Sequence, residues 1–256
     1  PHADVTDYKE VDVVHKQLLA VSGHEKGSTP THNIVLIIPF RDRHEHYNKF
    51  MLNWKRNANI IVIEQDNKDL YRRAWSTNIG IQIAMELYPN ATCLVQHDID
   101  FLPYGNVNYT ECSTPIQLSS EIECFGGSVP YTTYAGGVIS ASPRHWVQIN
   151  GMTNNDRHGW GGEDDDLYYR LKHTQLLQPT DVIRRPSKGF GKYRCLTEGH
   201  TERVKDAQKY RKIVKQISDL QQGSQQWQND GLNNLSYKET RPRIRDKYGT
   251  LWVFVT

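Results

Sequence analysis

Ile34-Val35-Leu36-Ile37-Ile38-Pro39 is a continuous and largely β-branched apolar run. No polar residue interrupts it at every second position, so neither face is built for water, and it reads as a strand buried on both sides. Working outward, a polar helical segment follows from about His44 to Trp54, then a second buried strand at Ile60-Ile61-Val62-Ile63. Leu70, Ala74, Thr77, Ile81, Ala84 and Met85 recur at helical spacing. A third strand around Cys93-Leu94-Val95 runs directly into Asp98-Ile99-Asp100. Strand, helix, strand, helix, strand is the pattern of a parallel sheet with helices on its faces. In such sheets ligands sit beyond the carboxyl ends of the strands, where Pro39-Phe40-Arg41 and Asp98-Ile99-Asp100 both fall.

The second half is less regular. Val138–Ala141 reads as a strand, and Asp164–Lys172 as a helix turning Leu167 and Leu171 inward. Residues 202–228 read as a long polar helix and loop, and Leu251–Val255 as a closing strand. Residues 1–32 are polar and end in a Gly-, Ser-, Thr- and Pro-rich stretch from Gly23 to His32, read as an opening helix and linker. With no internal repeat, 33–256 is expected to form a single α/β domain.

Hydrophobic residues make up 37% of the 256 and charged residues 23%, a globular composition. Lys and Arg number 31 against 29 Asp and Glu, a near balance that gives nucleic-acid binding no support. No run of 18 apolar residues is present to span a bilayer. The chain starts at Pro1 rather than Met, which we read as a processed start with any targeting segment removed. Cys93, Cys112, Cys124 and Cys195 show no C-x-x-C zinc spacing. Together with sequons at Asn90, Asn108 and Asn234 they lean toward the secretory pathway.

Two segments carry chemistry. In Asp98-Ile99-Asp100, alternation along an extended chain would point two carboxylates to one side, able to hold a divalent cation and through it a diphosphate. A capping or solvated Asp pair is the plainer reading of a D-x-D taken alone. Gly159-Trp160-Gly161-Gly162 followed by Glu163-Asp164-Asp165-Asp166 is more specific. The glycines admit close backbone approach and positive φ, and the indole offers a flat face for a sugar ring. Four adjacent carboxylates repel unless hydroxyls, cations or a helix N-terminus compensate them. An acidic helix start accounts for some of the acids but not for the Trp among glycines. Arg41, Arg43, Arg72 and Arg73 stand after a strand end and at a helix start, where guanidinium forks suit phosphate. No dinucleotide, P-loop, nucleophile-elbow or zincin motif is present.

In order, Ile38-Pro39-Phe40-Arg41-Asp42-Arg43, Tyr71-Arg72-Arg73-Ala74, Asn78-Ile79-Gly80 and His97–Pro103 resemble the β-1,4-galactosyltransferase family. So do Tyr134-Ala135-Gly136-Gly137-Val138, Asn150-Gly151-Met152, Gly159–Asp166 and Asp230-Gly231-Leu232-Asn233. The resemblance implies a GT-A fold with a mostly parallel, Rossmann-like sheet and helices on both faces. It implies an inverting transferase that uses UDP-galactose and Mn2+, lodged in the Golgi lumen by an N-terminal membrane anchor absent from this chain. Pro39, Phe40, Arg41, Arg43, Arg73, Gly137 and Trp160 then look like donor contacts, Trp160 as a closing lid. Asp98 would touch the nucleotide side and Asp100 would ligate the metal. Glu163 and Asp165 would hold sugar hydroxyls, and Asp164 would be the general base. Cys93 and Cys112 match a family disulfide.

Other positions depart from the family pattern. The metal ligands after Gly191 fall on Cys195-Leu196-Thr197-Glu198-Gly199-His200, where His200 is the expected ligand and Cys195 or Glu198 a third. Cys124 stands where many members carry a Lys. Tyr134 resembles the galactose-specific members, since a phenol there would crowd an N-acetyl group on the donor. Tyr210 and Ile213 resemble an apolar pocket for the N-acetyl group of a GlcNAc acceptor, whereas His97 and Thr133-Tyr134 resemble members acting on xylose. The acceptor is therefore a glycan ending in GlcNAc or xylose, with a modifier subunit or a second copy of the chain as a further partner. The alternatives are a UDP-GalNAc-using transferase and a non-catalytic carbohydrate-binding relative.

Overall fold

The computed structural model describes residues 33–54, 56–157, 159–197 and 206–256. The opening helix and linker read in 1–32, and the ligand candidates Glu198 and His200, lie outside the described residues. In chain order the main elements are β1 (Ile34–Phe40), α1 (His44–Asn53), β2 (Asn59–Gln65), α2 (Arg73–Leu87) and β3 (Cys93–His97). Next come β4 (Phe101–Pro103), β5 (Ile116–Gln117), β6 (Glu121–Ile122), β7 (Val138–Ala141) and α3 (Pro143–Gln148). The chain continues through α4 (Glu163–His173), β8 (Lys192–Cys195), α5 (Ala207–Gln221), β9 (Ile244–Arg245) and β10 (Leu251–Val255).

Seven strands form one sheet in the order β5-β7-β3-β1-β2-β10-β9. Its centre, β3-β1-β2-β10, is parallel, with Leu36 opposite Ile60 and Leu251 opposite Ile61. β7 and β9 join β3 and β10 in antiparallel fashion. The apolar run of β1 explains its place in the middle. Val35 and Ile37 pack with Ile61, Ile63 and the α2 residues Ala74 and Ile79, while Leu36 and Ile38 pack with Val62 and the α1 residues Tyr47 and Phe50. A strand with both faces covered has no use for polar alternation. α2 lies so close to β1 that a Cβ on Gly80 would stand 2.2 Å from Ile37 Cγ2.

Two sequence expectations shift. Leu70 is not helical: α2 starts at Arg73, because Arg72 leaves helical geometry (φ −119, ψ 80) and gives its N–H to Gln65 Oε1 at 2.8 Å. Asp98-Ile99-Asp100 is a turn rather than extended chain, closed by Phe101 N–H donating to Asp98 O at 3.2 Å. The turn leads into a second sheet of order β4-β8-β6, whose register pairs Phe101 with Cys195.

Candidate active site

From β1 the chain steps to β2 on one side, then crosses back to β3 on the other, so the topological switch lies between the carboxyl ends of β1 and β3. Three segments converge there: the Asp98–Asp100 turn after β3, the start of α2, and the start of α4. Arg73 ties them together. Its Nε donates to Asp98 Oδ1 at 2.7 Å and its Nη2 to Asp98 Oδ2 at 3.2 Å. Its Nη1 donates to Asp164 Oδ1 at 2.9 Å and lies 3.7 Å from Glu163 Oε1. Only 13% of the Arg73 side chain is exposed, so these contacts act at low local dielectric.

The four acids of α4 divide their duties. Helix geometry turns successive residues by about 100°, and each acid finds a different partner. Glu163 and Asp164 face Arg73. Asp165 accepts from Tyr131 Oη at 2.9 Å. Asp166 is fully buried, accepting from Arg170 Nε at 2.5 Å and Gln216 Nε2 at 2.6 Å. Arg170 in turn donates to Asp230 O at 2.6 Å and Asp230 Oδ2 at 3.2 Å. Asp166 thus belongs to the scaffold under α4, and the Asn150-Gly151-Met152 and Asp230–Asn233 blocks serve that scaffold as well. Asn150 Nδ2 donates to Trp227 O at 3.1 Å, and Asn78 pairs both ways with the Met152 backbone at 2.8 Å.

Burial, reinforced by the charge of Asp164, pushes the Glu163 carboxyl up to about 8 against the pull of Arg73, so at neutral pH it is largely protonated. Its Oε2 has no hydrogen-bond partner in the structure. Burial likewise lifts Asp98 to about 6; Arg73 opposes the shift and Asp100 adds to it. Gln96 Nε2 donates to Asp98 Oδ1 at 2.8 Å. Tyr71 is held well above its usual range by burial, with the charges of Asp98 and Asp100 adding to the shift. His97 is buried and kept neutral, its pKa lowered to about 3 by burial. Its Nδ1–H meets Asp98 O at 2.9 Å, which leaves Nε2 to accept from Tyr109 Oη at 2.9 Å.

The remaining sequence candidates fall as follows. Arg41 gives Nη2 to Asn67 O at 2.6 Å and to Asp69 O, bracing the loop after β2. Pro39 and Phe40 are buried, Phe40 edge-on to Trp252 at 5.1 Å, so their side chains are core. The Arg43 carbonyl accepts from Tyr47 N–H at 2.9 Å at the start of α1. Arg72 is a clamp rather than the phosphate-binding fork read from the sequence, with Nε on Asp156 Oδ1 at 3.2 Å and its guanidinium 4.4 Å over the Trp75 ring. Trp160 is 48% exposed between Gly159, Gly161 and Gly162, whose φ values are 90, 104 and 94. Tyr210 and Ile213 of α5 pack on that turn: a Cβ on Gly161 would lie 3.5 Å from Tyr210 Cε2, and one on Gly162 2.9 Å from Ile213 Cγ1. Tyr134 is 8% exposed and edge-on to Tyr131 at 5.5 Å. A Cβ on Gly136 would lie 2.5 Å from Asp164 Oδ2 and 2.6 Å from Tyr134 Cε2, so ring and carboxylate close over that glycine. Gly137, at φ 78, lies beside Phe101 and Ser119.

Cys93 pairs with Cys112. Cys195 is not a metal ligand: it is bonded to Cys124, and a disulfide sulfur has no thiolate to give. Among the described residues no group of three His, Cys, Asp or Glu gathers around a cation position. Sequence reasoning missed Gln96, Tyr131, Gln117, Arg185 and the Arg170–Asp230 pair. The polar Gln96-His97 pair closing the otherwise apolar β3 was the one visible signal.

Residues 4–113 match the family described as the N-terminal region of glycosyl transferase group 7, and residues 117–201 that described as the N-terminal domain of galactosyltransferase. Mouse β-1,4-galactosyltransferase 1 is 33% identical over 223 residues, covering 83% of this chain and 52% of the relative. Human β-1,4-galactosyltransferase 5 is 33% identical over 229 residues, covering 86% and 55%. This chain belongs to the β-1,4-galactosyltransferase family. It spans about half the length of the curated relatives it matches. The catalytic domain of Drosophila β1,4-galactosyltransferase 7, solved with xylobiose, superposes with a TM-score of 0.66 at 23% identity, covering 88% of this chain and 94% of that one. A mutant of the same protein, solved with manganese, UDP-Gal and xylobiose, superposes equally well, at 22% identity. The fold is the GT-A α/β fold expected from the sequence, mostly parallel at its centre with antiparallel strands toward its edges.

Proposed function

We propose that residues 33–256 are the catalytic domain of an Mn2+-dependent, inverting β-1,4-galactosyltransferase that moves galactose from UDP-galactose to a terminal GlcNAc or xylose. The observation that carries this reading is the Arg73 junction, which sets Asp98 of the D-x-D turn and Asp164 of α4 on one guanidinium. A single displacement needs a leaving-group side and a base side at that spacing. The acceptor hydroxyl attacks the anomeric carbon as its bond to the diphosphate oxygen breaks on the opposite face. Asp164 takes the proton of that hydroxyl. Glu163, largely protonated at neutral pH, donates a hydrogen bond to a sugar hydroxyl, and Asp165 accepts one.

Carboxylate oxygens suit a hard cation, and Asp98 and Asp100 stand on one turn after β3, near enough that the charge of Asp100 raises Asp98. Asp100 with His200 would hold Mn2+, whose charge, when bound, would offset that of the departing diphosphate. Trp160, on a turn of positive-φ glycines, would cover the donor and exclude water. Tyr134 beside Asp164 leaves little room for a 2-acetamido group, which supports galactose over N-acetylgalactosamine. The relatives in this family, the two disulfides and the sequons support placement in the Golgi lumen. No helix of the described residues is long and apolar enough to cross a membrane.

The test is an acceptor panel (GlcNAc, glucose and xylose glycosides) with UDP-galactose and Mn2+, run alongside Asp164→Asn. We expect turnover on GlcNAc or xylose, and a fall of at least about 10²-fold in kcat for the variant with donor binding retained. Full activity in Asp164→Asn would move the base elsewhere; absence of turnover on every acceptor would remove the transferase reading.

A further inference from the structure

Tyr131 and Tyr134 are carried by a strip of backbone, residues 131–137, that belongs to no strand. Three of its carbonyls are nevertheless held by side chains. Thr132 O and Tyr134 O accept from Arg185 Nη2 at 2.9 and 3.1 Å. Gly136 O accepts from Gln117 Nε2 at 3.0 Å and Ser119 Oγ at 3.4 Å. The strip opens on a turn, with Tyr134 N–H donating to Tyr131 O at 3.1 Å, and the Arg185, Gln117 and Ser119 side chains fix the chain that follows it. Gln117, on the edge strand β5, joins the two halves: its Oε1 accepts from Arg185 Nε at 2.7 Å while its amide holds Gly136. The chain carrying Arg185 is itself pinned to β5, with Gln117 N–H donating to Arg184 O at 2.9 Å.

Arg185 is half-buried, and burial lowers its pKa; among the described residues no carboxylate pairs with it. A guanidinium placed this way is costly unless its donors are used, and its three hydrogen bonds among the described residues go to neutral oxygens that fix one loop. We propose that Arg185, braced by Gln117, is the positioning residue for donor choice: it holds the Tyr134 ring against Asp164 and so sets the space left for the donor sugar's 2-substituent. This rests on the reading above that Tyr134 crowds that substituent. The clearance in question is small. Ring and carboxylate already meet where a single added carbon on Gly136 would lie within 2.6 Å of both, so a few tenths of an ångström in the strip change what fits.

The experiment measures kcat and KM for UDP-galactose and UDP-N-acetylgalactosamine, with Mn2+, in wild type, Arg185→Met, Arg185→Lys, Tyr134→Leu and the Arg185→Met/Tyr134→Leu double variant, with the melting temperature of each. We expect the UDP-galactose preference in kcat/KM to fall about tenfold in Arg185→Met, the scale on which apolar pockets discriminate. Arg185→Lys, whose ammonium lacks the fork, falls in between. On the Tyr134→Leu background, Arg185→Met should leave the preference where Tyr134→Leu put it, since a residue acting through Tyr134 has nothing left to position. An unchanged preference in Arg185→Met, or an equal further fall on the Tyr134→Leu background, overturns the proposal. If Arg185→Met does not fold, Arg185→Lys decides, and an unchanged preference in it overturns the proposal too. If Tyr134→Leu alone leaves the preference intact, the donor-crowding reading fails first and this proposal falls with it, a result distinct from failure of Arg185 alone.

Discussion

Replacing Arg73 with Met removes one cation from among three carboxylates while keeping most of the side-chain stem. Asp98, Asp164 and Glu163 all lie within 3.7 Å of the guanidinium, in a cluster whose side chains are mostly shielded from solvent. Deleting one partner of a buried ion pair costs about 3–5 kcal/mol, because the charges left behind are neither solvated nor paired. Here protonation limits that cost, and the limit depends on pH. Glu163 and Asp98 already titrate at about 8 and about 6, above their ordinary 4.5 and 3.8. A carboxyl raised in the folded state binds extra protons there, so its stabilising contribution is complete below the unfolded pKa and is lost as pH rises through the folded one. For Glu163 that window runs from 4.5 to about 8. Without Arg73 the attraction that restrains both shifts is gone and both values climb further, each unit being worth about 1.4 kcal/mol. Arg73→Met should therefore be less stable than wild type by about 3–4 kcal/mol near pH 8, and by only about 1–2 kcal/mol near pH 5, where the carboxyls carry protons. Urea unfolding of both proteins at the two pH values, with m compared, measures this. A deficit equal at both pH values, or larger at the lower one, would show that Arg73 acts by packing and refute the electrostatic account.

Gly162→Ala should cost about 2 kcal/mol, since φ is +94 and the added Cβ would stand 2.9 Å from Ile213 Cγ1; a change below about 0.5 kcal/mol in urea unfolding would contradict the geometry. Trp160→Ala, at a side chain 48% exposed, should move stability by no more than about 0.5 kcal/mol. The same variant should lower kcat/KM for transfer at least about tenfold, and a large stability loss would instead make Trp160 a packing residue. Removing the Cys124–Cys195 bond with Cys124→Ser/Cys195→Ser opens a loop of sequence separation 71 and should cost about 4 kcal/mol. It should also speed amide exchange at Leu196, whose N–H is held by Asp100 O at 2.8 Å, and slow exchange there would detach the disulfide from the D-x-D turn.

The parallel centre of the sheet was legible because β1, β2 and β10 are buried on both faces and therefore spell themselves as apolar runs. The short strands were not. β6 and β8 are Glu-Ile and Lys-Tyr-Arg-Cys, and their pairing comes from contacts remote in sequence rather than from any period. In the site, the D-x-D and the acidic run stood out as residue types, while the roles given to Asp98, Asp100, Glu163, Asp164 and Asp165 came from the family resemblance and not from the spacing. The extended-chain argument for Asp98 and Asp100 fails because the segment turns, although the charge of Asp100 still reaches Asp98. Arg72 and Arg73 read alike as phosphate forks, and only tertiary packing separates the clamp on Asp156 from the junction on Asp98 and Asp164. Asp166, the one acid of the four given no role from the sequence, is drawn into the scaffold by Arg170, which also pairs with Asp230. Cys195 read as a ligand candidate because nothing in the spacing of four cysteines names the partner of each.

Once Asp166 is assigned to the scaffold and Glu163 is counted as largely protonated at neutral pH, the crevice holds Asp98, Asp100 and Asp164 against Arg73. One guanidinium cannot balance three carboxylates, and an excess of about two negative charges in a shielded cleft is expensive unless something offsets it. A divalent cation would match that excess, and a diphosphate brought with it would restore a binding role to Arg73 by competing for the same donors that now hold Asp98 and Asp164. Donor binding then loosens the grip on Asp164 as it fills the site, leaving that carboxylate free to accept a proton only when a donor is in place. The charge match makes a specific demand: with UDP and Mn2+ bound, the Asp98 carboxyl, raised to about 6 in the free protein, should fall, readable as proton release on mixing in lightly buffered solution. Proton uptake instead would mean that the cation does not sit among these carboxylates, and the charge argument for the metal would be lost.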